Sequence, residues 1–146
     1  MALMRGFSKV DEEGRITIPD DIARFSGIYP GQGVHLIVLR IKGTGRFPHL
    51  VIHRPGNVPY ISMLEVMMMR EQGEADERGR LTLPAEIMDE LRLEPGYLVE
   101  FKIHGARGQH WVVVHNRGPW RETTLQQRLG SRRKGKKQWK TVTVEY

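Results

Sequence analysis

Two stretches of the chain carry residues whose types and spacing could do chemistry. Asp11 stands four residues ahead of Arg15 across a glycine, in Asp11-Glu12-Glu13-Gly14-Arg15, and Asp76 stands likewise ahead of Arg80, in Asp76-Glu77-Arg78-Gly79-Arg80. An arginine on a tight turn offers a planar fork of donors that suits a guanine edge or a phosphate, and an aspartate four residues earlier could fix its direction. The same spacing also suits a plain turn-locking ion pair. Near the C-terminus, Arg132, Arg133, Lys134, Lys136 and Lys137 fall within six positions, followed by Trp139 and Lys140. Such a run repels itself, stays solvated and draws polyanions, while the indole provides a stacking face for bases. A merely solubilising terminus is the other reading of that run.

Other chemistries find little support. With no cysteine, the chain holds no disulfide, thiolate metal site or cysteine nucleophile. His35, His49, His53, His104, His110 and His115 lack the helical i, i+4 pair or the cysteine company of usual zinc sites, so they read as core or surface residues. No Ser-His-Asp order and no phosphate-cradling glycine loop is present, and Gly43-x-Gly45 reads as a turn. The expectation is a protein that is not an enzyme and has no cofactor or metal. Met63, Met67, Met68 and Met69 read as fillers of irregular gaps in a core seam.

Charge is distributed unevenly. Residues 1–115 hold 14 Lys and Arg against 15 Asp and Glu, whereas residues 116–146 hold 9 against 2, so the whole net charge of +6 sits in the tail. With 39% hydrophobic residues the chain is too apolar for a disordered polymer, and runs such as Leu36–Leu39 are too short to span a bilayer. The first ten residues lack the apolar stretch of a secretory signal, and a cytoplasmic protein with no membrane partner is expected.

The elements that must position these residues come in duplicate. A shift of 65 positions lays Val10–Pro19 on Ala75–Pro84 with six of ten residues identical, and the match runs on through Ile22 on Ile87 and Pro30-Gly31 on Pro95-Gly96. After a three-residue length change in a turn, Leu50–His53 falls on Val112–His115. The chain divides into a first repeat (1–53), a connector (54–65), a second repeat (66–115) and a basic arm (116–146).

In each repeat, Arg-Ile-Thr-Ile or Arg-Leu-Thr-Leu alternates as a half-buried strand, entered by a glycine turn at 14 or 79 and ended by Pro19 or Pro84. A short helix follows, with Ile22 and Phe25, or Ile87 and Leu91, as its apolar stripe. Gly27 stops the first helix, while the second lacks that glycine. Two more strands complete the unit. A repeat of about 50 residues is too small to be stable alone, so each needs the other. The expected fold is mainly β with two short helices, the repeats interleaving their strands as an internal pseudo-dimer barrel. The connector reaches roughly 40 Å when extended, enough to cross it. The last seven residues alternate like a strand and could pair onto a sheet edge.

The run Lys9-Val10-Asp11-Glu12-x-Gly14-Arg15-Ile16-x-Ile18-Pro19-x-x-Ile22-x-Arg24, followed by Gly27-Ile28, resembles the signature of the AbrB/SpoVT superfamily of swapped-hairpin transcription factors, and the second repeat follows it less strictly. The tandem arrangement is also similar to the two-repeat MraZ form, without its helical insertions. The resemblance covers both repeats and not the tail. It implies a DNA-binding transcriptional regulator, with Lys9, Arg15, Arg24 and Arg80 on the DNA, Asp11 and Asp76 orienting the arginine loops, and the arm adding phosphate contacts. Double-stranded DNA is the expected partner. RNA or a larger protein assembly, with the same fold as a non-catalytic subunit, is the alternative, and a homo-oligomer is compatible with both. Glu12, Glu13, Glu74, Glu77 and the acidic second helix, Met88-Asp89-Glu90, count against phosphate contact by the core.

Overall fold

The computed structural model describes residues 4–43, 47–119 and 144–145. The elements run β1 (Arg5–Lys9), β2 (Arg15–Thr17), α1 (Asp20–Ser26), β3 (Gly33–Ile41), β4 (His49–His53), β5 (Glu65–Glu74), β6 (Arg80–Thr82), α2 (Ala85–Leu91), β7 (Tyr97–Ala106), β8 (Gln109–Pro119) and β9 (Val144–Glu145). The fold is mainly β with two short helices. Seven strands form one sheet in the order β5-β3-β4-β8-β7-β1-β9, and β2 pairs with β6 in a separate ribbon.

The repeats exchange strands. The first strand of each pairs antiparallel with the third strand of the other, β1 with β7 and β5 with β3. The registers are copies of one another: Lys9 faces Leu98 and Arg5 faces Lys102, while Glu74 faces Gly33 and Arg70 faces Ile37, each pair shifted by 65 residues. In the ribbon Arg15 faces Thr82, Ile16 faces Leu81 and Thr17 faces Arg80, a pattern that maps onto itself when the copies are exchanged. At the centre of the large sheet Val51 faces Val113. A pseudo-two-fold axis therefore passes between Ile16 and Leu81 on one side and between Val51 and Val113 on the other.

One core serves both copies. Ile16, Ile18 and Ile22 pack with Leu81, Leu83 and Ile87 against Leu36, Val38, Leu50, Ile52, Val99, Phe101, Val112 and Val114. The ladder is open at β5 and β9, and the ribbon and both helices close the core. Because strand side chains alternate, Ile37, Leu39, Val51, Trp111 and Val113 form a second, smaller cluster on the opposite face of the sheet.

Local details differ in part from the sequence reading. Gly27 ends α1 in the left-handed conformation, as expected. At the equivalent place in α2, Arg92 takes that conformation at φ 57°. Its strain is offset from outside the helix, since Asn116 Nδ2 on β8 donates to the carbonyls of Leu91 at 2.9 Å and Arg92 at 3.1 Å. In α1 it is Ile22 and Ser26 that are buried, and Phe25 turns out to be 44% exposed, edge-on to His110. Met68 and Met69 pack against the core, whereas Met63 and Met67 are exposed. β9 lies parallel to β1, Phe7 facing Val144, which places the C-terminal strand on a sheet edge. No helix among the described residues is long and apolar enough to cross a membrane.

Candidate nucleic-acid interface

Each Asp-x-x-Gly-Arg segment folds as a closed turn. The amide of Asp11 donates to the carbonyl of Arg15 at 3.0 Å, and Gly14 N to the carbonyl of Asp11 at 3.1 Å; Asp76, Gly79 and Arg80 repeat this at 2.9 Å each. Gly14 and Gly79, both at φ 76°, supply the left-handed residue that this geometry demands. The aspartate then works twice. Asp11 Oδ1 accepts from the amides of Glu13 at 2.9 Å and Arg15 at 2.8 Å, while Oδ2 accepts from Arg15 Nε at 2.7 Å. Asp76 does the same for Arg78 N, Arg80 N and Arg80 Nε, at 2.9, 2.9 and 2.7 Å.

The two sequence readings of this pair are thus compatible: the carboxylate locks the turn, and in doing so fixes where the guanidinium points. Burial pushes the Asp11 carboxyl up, but hydrogen bonds from Arg15 and Glu13 outweigh it and hold it below the usual carboxylate range. Asp76 is lowered chiefly by the backbone hydrogen bond from Arg80. Both stay ionised near neutral pH.

The ribbon brings the two turns together. With Ile16 and Leu81 pointing into the core, Arg15, Thr17, Arg80 and Thr82 occupy its other face, the arginines on a diagonal across the pseudo-two-fold axis. About a quarter of each arginine side chain remains open to solvent, 26% for Arg15 and 29% for Arg80. The turns interlock as well, Ile18 N donating to the carbonyl of Gly79 at 2.9 Å and Leu83 N to that of Gly14 at 3.0 Å.

The two turns differ in charge. Arg15 Nη2 is bound by Glu13 Oε2 at 2.5 Å, so the first turn sets one arginine against three carboxylates. Arg78 replaces Glu13 in the second turn, which sets two arginines against Asp76 and Glu77. The second turn is the more favourable anion surface. Arg78 is exposed and, with Arg24 and Thr17, lines a cleft of about 210 Å³ between α1 and the second turn. Sequence reasoning did not select Arg78; the one signal for it was the Glu13/Arg78 mismatch in the repeat alignment.

The remaining sequence candidates are placed less uniformly. Arg24 is exposed on α1, with Asp20 at 3.2 Å. Lys9 sits half-buried at the end of β1, where it shares the side of Arg5 and Phe7; Ser8, on the other side, faces the ribbon and accepts from the Thr17 amide at 2.9 Å. Lys9 is therefore not brought onto the arginine face. Arg132, Arg133, Lys134, Lys136 and Lys137 lie outside the described residues. Among the described residues no three His, Asp or Glu side chains are grouped to hold a metal ion.

No family model matches the chain, and no curated protein matches it significantly. Among solved structures, the solution structure of PHS018 from Pyrococcus horikoshii is similar over 83% of this chain and 100% of that one, at 19% identity and a TM-score of 0.41.

Proposed function

We propose that this chain is a cytoplasmic DNA-binding transcriptional regulator of the AbrB/SpoVT type, without catalytic activity. The observation that carries the reading is the β2–β6 ribbon, which sets Arg15 and Arg80 on one two-fold face, each aimed by its own aspartate. A two-fold pair of arginine forks suits two half-sites on a duplex. Arg24 and Arg78 extend that face beside the second turn. The basic arm, with its end held on β1, supplies phosphate contacts that read no bases.

A salt-dependent duplex titration tests this. Changing Arg15 and Arg80 to Ala should weaken specific binding by about 1–3 kcal/mol per lost base contact. Arg78→Glu, which gives the second turn the charge of the first, should weaken it further. Removing residues 130–146 should reduce the salt slope while retaining sequence preference. Equal affinity of all forms for every duplex would refute the proposal.

The second reading, a non-catalytic assembly or ribonucleoprotein subunit, draws support from the connector, where Val58, Tyr60, Met63 and Leu64 are 67%, 75%, 90% and 68% exposed. A stable complex with a larger protein or RNA, and no duplex binding, would favour it.

A further inference from the structure

The two helix ends of the molecule carry opposite chemistry on one repeated backbone. α1 packs beside the second turn, and α2 beside the first, where a Cβ on Gly14 would lie 3.8 Å from the Met88 methyl. Arg24 and Phe25 of α1 stand where α2 has Asp89 and Glu90, Tyr29 stands where the second copy has Glu94, and Arg78 of the second turn answers to Glu13 of the first. Arg54 follows His53 as Asn116 follows His115. All five residues at the α1 end are exposed, so the shared core makes no demand on them. Two positions run the other way, Asp20 against Ala85 and Gly27 against Arg92. Asp20 is held by Arg24 at 3.2 Å, and Arg92 lies over the Phe47 ring, 5.2 Å from its centroid. At these unmatched positions, then, the α1 end sets Arg24, Arg54 and Arg78 with two aromatic rings against one aspartate, and the α2 end sets four carboxylates against one arginine.

We propose that the α1 end binds a single-stranded nucleic-acid segment, with unpaired bases stacked on Tyr29 and Phe25 and the flanking phosphates held by Arg24, Arg54 and Arg78. These side chains are neighbours. Arg24, Tyr29 and Arg78 line the cleft of about 210 Å³ beside the second turn, and Arg24 and Tyr29 also border a hollow of about 260 Å³ lined by Phe25, Arg54 and His110. Tyr29 is 49% exposed and Phe25 44%, the Phe25 ring being set edge-on to His110 with centroids 4.5 Å apart. Among the described residues Arg54 and Arg78 make no ion pair, and the pair of Arg24 with Asp20 is exposed on both sides and therefore weak. Asp20 and Glu77 are the carboxylates in the lining. Guanidinium forks suit phosphate oxygens, and an aromatic ring offers a stacking face to any base. Paired bases inside a duplex already have both faces covered, so the rings favour an unpaired strand. The site shares Arg24 and Arg78 with the surface proposed for duplex DNA, but Phe25, Tyr29 and Arg54 are its own, and it does not depend on the duplex reading.

The test is fluorescence anisotropy of the full chain with labelled oligothymidylate and oligouridylate strands of about twelve nucleotides, beside a duplex of the same length. Tyr29→Ala should weaken binding of at least one of the two strands roughly tenfold or more, the scale of one lost stacked base, and leave the duplex unaffected. The strand that shows the loss identifies the preferred sugar. Tyr29→Phe should keep the affinity, and Glu94→Ala, at the matching place beyond α2, should change nothing. Arg54→Gln should make log K less steep in log salt by about 0.7, the value for one phosphate of a single strand. If Tyr29→Ala melts early, the Arg54→Gln slope still decides. No binding of either strand, binding untouched by both variants and so assigned to the basic arm, or an equal loss for the duplex would overturn the proposal.

Discussion

At the scale of single residues, the aspartates at 11 and 76 show how one side chain can both lock a turn and orient an arginine. Each ties two backbone amides and one guanidinium, so the arginine arrives at the surface already oriented. On the other face of the sheet, titrating groups couple folding to pH. Burial first, then Arg117 and Lys102, lower the His115 pKa to about 3 from its ordinary 6.5. Neutral His115 contributes its full stability above pH 6.5, and the contribution is lost as pH falls from there towards 3, because only the unfolded chain takes up the proton. Burial raises the buried Glu100 carboxyl, but Arg117 and Arg5 outweigh it and leave it lowered, so its contribution is also lost in acid, below the ordinary carboxylate range. Urea unfolding at pH 7, 6, 5 and 4 should therefore show stability falling with acidity. His115→Gln should flatten that slope by up to about 1.4 kcal/mol per pH unit, the value for one proton. An unchanged slope would mean that His115 is not held neutral.

At the scale of elements, the turns and helix ends separate what local sequence dictates from what tertiary contact dictates. The alternation around Arg15 and Arg80, the glycines of both turns and the glycine stop of α1 were legible, because each reflects a local steric or periodic rule. The left-handed Arg92 was not, since its support comes from Asn116 on a strand 24 residues away. Phe25 misled for a related reason: a seven-residue helix buries only one narrow stripe, and Ile22 with Ser26 fills it. Gly79 and Gly31 allow a controlled test. Their φ values are 76° and 78°, but a Cβ at 79 would meet the Ile18 carbonyl at 3.3 Å, while at 31 nothing lies within 4 Å. Gly31→Ala should cost about 1–2 kcal/mol from the backbone alone, and Gly79→Ala measurably more, as read by thermal or urea unfolding. Equal losses would show that the interlock of the two repeats tolerates the extra carbon.

At the scale of the whole molecule, duplication explains why so much of the architecture could be read and so little of the outer face. A fixed offset of 65 residues forces matched strands and matched registers, and a repeat too small to fold alone forces the exchange of β1 and β5. Paired arginine turns on a two-fold ribbon follow from that symmetry. On the outer face of the sheet Ile37, Leu39 and His49 of the first copy give way to Lys102, His104 and Trp111 of the second, and no periodicity marks residues that differ between copies. Lys9 shows the same limit, since only the pairing of β1 with β7 fixes which side of the sheet it occupies. Contact between the ribbon face and nucleic acid, as proposed, is tested most directly by backbone amide NMR of the full chain during titration with duplex DNA. Shifts concentrated on residues 11–17 and 76–82, with Val51 and Val113 unmoved, are the expected result. Shifts confined to the C-terminal arm, or centred on Val51 and Val113, would contradict it.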